Sequence, residues 1–211
     1  MTVRSQPAAL LVAGLAALVG YVDVLVFLKI AEHLLDAVHS RAGADGAGIA
    51  TVASFAGSAL ALVIAFVAGV VAGSLFGHWA RGYRRPAVLG LAAALLLVAA
   101  LLVDEAAAGP VLLLMVIASG SMHGVLEDGV NPAFGVFALI GRFGGKLATA
   151  IAGGESEGWA LDILLATGLC IGIVAGFMLS PHFGLAGVWL AAGVAALLAL
   201  GAAVTNRAVG R

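Results

Sequence analysis

Asp23 stands where an acid is costly to keep. It lies between Val22 and Val24 inside an apolar run at 8–30, and a carboxylate at the centre of a membrane span costs about 2.5–3.5 kcal/mol to insert. Two roles can offset that cost: a proton or cation site on an internal path, or a protonated or hydrogen-bonded acid that fixes helix packing. His123 lies inside a second apolar run, at 110–125. An imidazole titrates near neutral pH and can relay protons or bind metals, or it can serve as a packing and hydrogen-bonding group. Tyr21 is two residues from Asp23 and so on another helix face, while Ser121 and Met122 precede His123. Asp23, His123, Tyr21, Ser121 and Met122 form the candidate pathway or substrate-binding set.

Other chemistry is poorly represented. Met122, His123 and Cys170 do not form a soft-metal site, because adjacent residues point apart and no ligand spacing is repeated. No HExxH occurs, nor paired carboxylates at matched depth. The expectation is therefore no enzyme, no cofactor and no metal. Cys170 has no partner for an intrachain disulfide and reads as a buried, inert thiol. Arg142 and Lys146 share a face at i, i+4 if their segment is helical; they suit anchoring to anionic headgroups or a cytoplasmic entrance, with Glu127 and Asp128 as candidate partners. Glu32, His33, Asp36 and His39 read as a solvated amphipathic face.

The elements that must position these groups follow from composition. The 211 residues are 63% hydrophobic and 10% charged, against roughly 25% charged in a soluble domain. Such a chain is an integral helical membrane protein, with the lipid bilayer as its first partner. Its net charge of −1 excludes electrostatic binding of nucleic acid as a main function. Glycine supplies 30 residues, about twice the usual share, mostly inside apolar runs. Small residues there let helix backbones approach closely; they permit a homo-oligomer without requiring one. The N-terminal residues resemble a signal peptide, but the apolar run continues to Ile30 and reads as a span that is retained.

Apolar runs fall at 8–30, 48–77, 87–103, 110–125, 159–179 and 183–204, with turns at Arg84-Arg85-Pro86, Asp104-Glu105, Gly109-Pro110 and Ser180-Pro181-His182. Two segments, 31–47 and 131–158, are semi-polar and read as re-entrant or interfacial. With six spans, the basic residues Arg4, Arg81, Arg84, Arg85, Arg142, Lys146, Arg207 and Arg211 share one side, against Lys29 and Arg41 on the other. Basic residues accumulate on the cytoplasmic side, so both termini are expected there. Trp79, Tyr83 and Trp159 then fall at the cytoplasmic interface.

The chain also matches itself at an offset of about 100 residues. Gly20-Tyr21-Val22-Asp23-Val24 aligns with Gly120-Ser121-Met122-His123-Gly124, and the segment 65–73 with 168–176, both glycines in register. Three spans is an odd number, so the second half enters the membrane from the opposite side. The fold expected is an all-α membrane protein of about six transmembrane helices, as two inverted three-helix repeats at 1–107 and 108–211. Chance similarity of Ala/Gly/Val-rich helices is the competing explanation. Measured from the middle of their runs at 1.5 Å per residue, Asp23 and His123 should lie on the order of 14 Å apart along the membrane normal, in two half-sites.

The order Gly20-Tyr21-Val22-Asp23, the glycine helix at 65–73, the Ala118-Ser119-Gly120-Ser121-Met122-His123-Gly124 stretch and the closing Ala/Leu helix resemble the YoaK-like bacterial membrane proteins, a family of uncharacterised small proteins. The resemblance implies a multi-pass inner-membrane protein and little about activity. The chain departs from the family where a Ser/Thr-Gly-Asn-Thr turn is usual, reading Val38-His39-Ser40-Arg41-Ala42-Gly43, and where a Gln-Asn pair is usual, reading Met122-His123. The leading functional expectation is a small transporter or channel-like permease for an unidentified small solute or ion. The competing one is a membrane scaffold whose glycine-rich faces bind partner helices. A water-accessible route to Asp23 favours the first; an exposed small-residue groove favours the second.

Overall fold

The computed structural model describes residues 6–41, 48–103, 108–127 and 159–209. In lipid every backbone polar group must be satisfied within the protein, and the described residues are accordingly helical almost throughout: α1 (Gln6–Arg41), α2 (Gly48–Trp79), α3 (Arg84–Leu102), α4 (Ala108–Glu127), α5 (Trp159–Phe183) and α6 (Gly187–Val209). Four stretches are long and apolar enough to cross a membrane: Leu10–Glu32, Gly57–Trp79, Arg84–Leu102 and Ile163–Arg207, the last containing α5 and α6 together. Gly109–His123 in α4 is apolar but shorter. Large side chains on one face of α2, among them Leu60, Val63, Ile64, Val67, Val71 and Leu75, are exposed. A patch of that extent is untenable in water, and the chain is membrane-embedded.

The helix ends follow local chemistry. Pro86 falls in the first turn of α3, where its missing N–H would have had no intrahelical partner. A short 3-10 turn, Arg81–Tyr83, reverses α2 into α3, and the Asn206 side chain of α6 donates to the Gly82 carbonyl within that turn. The reversal from α5 to α6 comes later than the Ser180-Pro181-His182 signal suggests. Pro181 is carried inside α5, and the chain turns at Gly184, whose φ of 52° is a left-handed conformation that suits glycine. The segment 31–47 also differs from expectation, since residues up to Arg41 continue α1 rather than forming a separate re-entrant or interfacial element. The segment 131–158 lies outside the described residues.

Glycines decide which helices meet. A Cβ at Gly172 of α5 would strike the Ala17 carbonyl of α1, and one at Gly69 of α2 would strike the Ile117 carbonyl of α4. Gly20 of α1 likewise abuts Leu169 and Ile173 of α5, and Gly120 of α4 abuts Phe66 and Val70 of α2. Along α1 and α5 the neighbours advance together, Ala13 with Gly168, Ala17 with Gly172 and Tyr21 with Gly176, so these helices run parallel. Ile117 with Gly69 and Ser121 with Gly73 make α2 and α4 parallel as well. Tyr21 Oη donates to the Gly187 carbonyl at 3.1 Å, and Gly14 faces Leu198, which sets α6 antiparallel to α1. An alanine-rich seam, with Ala92, Ala99 and Ala100 of α3 and Ala191, Ala192 and Ala195 of α6 all buried, joins the remaining pair.

The core gathers on α1 and α4. Val19, Val22 and Leu25 of α1 and Val111, Met115 and Met122 of α4 are fully buried, with Leu96, Leu165 and Val188 from the surrounding helices. The α1 span is 56% buried, against 17% for that of α2, so α1 is an inner helix and α2 an outer one. Replacing Gly172 or Gly69 with alanine is expected to push apart backbones that cannot yield. The cost should be about 1–3 kcal/mol of overpacking, read as a lower unfolding temperature in detergent. G90A, where nothing lies within 4 Å of the added Cβ, should leave that temperature unchanged or raise it. Equal behaviour of the three variants would refute the close-approach account.

Candidate functional site

The site forms where α1 and α4 cross. Asp23 is at the middle of α1, which runs from residue 6 to 41. Ser119 and His123, four residues apart on α4, share a helix face and both turn toward it. Ser119 Oγ donates to Asp23 Oδ1 at 2.5 Å. His123 Nδ1 lies 2.9 Å from the Ser119 carbonyl oxygen, which can only accept, so Nδ1 carries the hydrogen. That fixes the imidazole and leaves Nε2 4.0 Å from Asp23 Oδ2, within ion-pair range but beyond a hydrogen bond. On the far side Phe66 of α2 meets the ring edge-on, centroids 5.3 Å apart, a favourable aromatic arrangement. One serine therefore holds both ionisable groups, the acid through its hydroxyl and the histidine through its carbonyl.

This juxtaposition corrects the expectation of two half-sites about 14 Å apart. Depth was measured from the middle of each apolar run, but α1 extends to Arg41, which moves its midpoint from Val19 to Asp23. Two helices that cross bring together the residues at the crossing, whatever their distance from the middle of a hydropathy profile. The distance of 4.0 Å is still not a direct hydrogen bond between the two side chains.

The remaining candidates go elsewhere. Tyr21 faces α6 through its bond to Gly187. The Ser121 hydroxyl donates to the Ala118 carbonyl of its own helix at 2.8 Å, and Met122 is fully buried in the core. Arg142, Lys146 and Asp128 lie outside the described residues, as do the side chains of Glu127, His33, Asp36 and His39. Glu32 pairs with Lys29 at 2.5 Å. Cys170 is exposed, correcting the expectation of a buried thiol, because it sits on the outer face of α5 beside Ile171, which is exposed as well. Among the described residues no group of three or more His, Cys, Asp or Glu could hold a metal.

Ser119 is the residue that sequence reading passed over. Its i, i+4 relation to His123 was visible, but serines are common in tightly packed membrane helices, and nothing local shows that its hydroxyl reaches another helix. The Asp23 side chain keeps 45% of its exposure and that of His123 13%, while Val19 and Val22 beside Asp23 are fully buried. The Asp23 side chain is thus only partly buried although its helix is central to the core.

A double-mutant cycle between D23A and S119A is expected to give a coupling of about 0.6–1.7 kcal/mol, the range of interhelical hydrogen bonds in membrane proteins. Unfolding in mixed micelles measures it; a value near zero would mean that hydroxyl and carboxylate do not meet.

No curated protein and no solved structure matches the chain significantly. A family model described as Protein of unknown function (DUF1275) matches residues 11–201, a stretch that holds the whole α1–α4 crossing, and the chain therefore belongs to the DUF1275 family.

Proposed function

We propose that this protein is a YoaK-like inner-membrane permease rather than an enzyme. In this reading it moves a small solute or ion between two inverted halves of three spans each, with both termini cytoplasmic. The observation that carries the reading is the part-buried carboxylate of Asp23, held by Ser119 and facing His123 at the crossing of the two inner helices. A charged group kept inside a span at this cost marks a pathway more readily than a packing contact.

The inverted halves draw support from the helix contacts. With α1 and α4 aligned at an offset of 100, and α2 and α5 at 103, the contact of Gly20 with Leu169 corresponds to that of Gly120 with Phe66. Gly172 on Ala17 corresponds in the same way to Gly69 on Ile117, and Gly176 near Tyr21 to Gly73 on Ser121. Asp23 and His123 are themselves such a pair. Two equivalent residues that meet lie near the twofold axis, which is where substrate passes in transporters built of inverted repeats.

The same contacts suggest which parts would move. Each glycine lock joins a helix of one half to a helix of the other, so the rigid units are α1 with α5 and α2 with α4, and the site lies between them. The scaffold alternative needs glycine faces open to partner helices. Here Gly20, Gly69, Gly73, Gly120, Gly168 and Gly172 are all occupied by the chain's own backbone or side chains.

Reconstitution into liposomes tests the reading, with osmotic swelling followed for a panel of small polyols, amino acids and monovalent salts. Wild-type protein is expected to admit at least one of them, and D23N, folded by size-exclusion chromatography, to reduce that rate at least tenfold. No flux of any probe through folded wild-type protein would remove the transport reading and return the weight to a scaffold.

A further inference from the structure

We propose that the end of the bundle where the α2–α3 turn meets α6 binds the phosphate of an anionic phospholipid headgroup, through Arg85 and Arg207 with Trp79 and Tyr83 beside them. This surface is separate from the α1–α4 crossing, and the proposal holds whether or not the protein transports a solute. Asn206 of α6 donates to the Gly82 carbonyl, which ties the last turns of α6 to the turn that opens α3. Arg207 follows Asn206, and Arg85 lies three residues past Gly82. Both arginines are exposed. The Arg84 stem lies across Gly77 instead, part-buried in the packing of the corner.

Packing does not account for the two exposed cations. The molecule builds this corner twice: α2, the 3-10 turn Arg81–Tyr83 and α3 correspond, at an offset of 103, to α5, the 3-10 turn Gly184–Ala186 and α6. The second corner is tied to α1 by the Tyr21 bond to the Gly187 carbonyl, and residues 177–190 contain no lysine or arginine. A reversal of this kind therefore closes without basic residues. Helix stability does not account for them either, since Arg85 stands in the first turn of α3 with no acid there, where a cation opposes the helix dipole. Among the described side chains the acids are already engaged, Asp23 with Ser119 and Glu32 with Lys29. The charge at this corner is left to a partner outside the chain.

The surroundings select that partner. A guanidinium presents paired N–H donors that match a phosphate in bidentate fashion. Trp79 is 79% exposed and Tyr83 53%, and amphipathic rings of this kind settle at the level of lipid headgroups. Leu75 and Phe76, one turn earlier on α2, are exposed and apolar, as acyl chains require. A surface that runs from apolar through aromatic to cationic fits a molecule carrying acyl chains and a phosphate together, which free phosphate does not. Basic clusters at the ends of membrane helices attract anionic lipid in the same way.

Native mass spectrometry of the full-length protein tests this, in detergent micelles doped with phosphatidylglycerol or phosphatidylcholine. Both lipids carry a phosphate, and only the first has a net charge. Wild-type protein is expected to hold phosphatidylglycerol about 25-fold more tightly than phosphatidylcholine, R85Q and R207Q to lose about fivefold each, and R85Q/R207Q to bind the two lipids equally. K29Q, which removes one cation from α1 beyond Asp23, should bind as wild type does. Should the double variant fail to fold, the single variants decide. Equal affinity of wild-type protein for the two lipids would overturn the proposal, as would unchanged phosphatidylglycerol binding in R85Q and R207Q or an equal loss in K29Q. Excess inorganic phosphate at fixed ionic strength should not displace phosphatidylglycerol; displacement would assign the corner to a soluble phosphate and overturn the lipid.

Discussion

The structure depends on the approach of helix backbones that glycine alone allows. Where Gly172 rests on Ala17 and Gly69 on Ile117, even one added methyl group would meet a carbonyl oxygen. Lipid gives helices no hydrophobic reason to associate, so contact must come from dispersion over closely matched surfaces, and dispersion falls away within a fraction of an ångström. The two locks make α1–α5 and α2–α4 into ribbed pairs, and the alanine seam of α3 and α6 closes the bundle around them. Glycine is abundant in this chain because its packing is backbone against backbone.

The site follows from that packing. With α5 and α6 on one side of α1, and α2 and α3 on one side of α4, the two inner helices are left facing each other. Their polar faces meet at Asp23, Ser119 and His123. Ser119 is only 3% exposed, which places its hydroxyl in surroundings where competing water is scarce and a hydrogen bond to a carboxylate counts for more. Phe66 carries its backbone against Gly120 and its ring against His123, so the contact that locks α2 to α4 also fixes the imidazole. Packing and chemistry are carried by the same residues, and a substitution at the locks should disturb the site without touching it.

The outer surface is organised by the opposite rule. Residues such as Val67 and Val71 on α2, Ile171 and Val174 on α5, and Leu197 and Leu200 on α6 are large, apolar and exposed, as lipid contact requires. Cys170 belongs to this surface. Its placement shows why an apolar neighbourhood in sequence does not distinguish core from lipid face in a membrane helix: both are apolar.

Much was legible without coordinates. Low charge and long apolar runs determined a helical membrane protein, because each span must satisfy its own backbone and exclude charge. The same scarcity made Asp23 conspicuous, and the matched glycines of 65–73 and 168–176 marked the helices that pack most closely. Local pattern could not place Ser119, because a serine hydroxyl finds its partner across helices and not along one. It also misjudged how far Asp23 lies from His123. Hydropathy reports how long a helix stays apolar, while the distance between two side chains on different helices is set by where those helices cross and how they are rotated. Only the tertiary structure decided that, through the glycine contacts that leave α1 and α4 face to face.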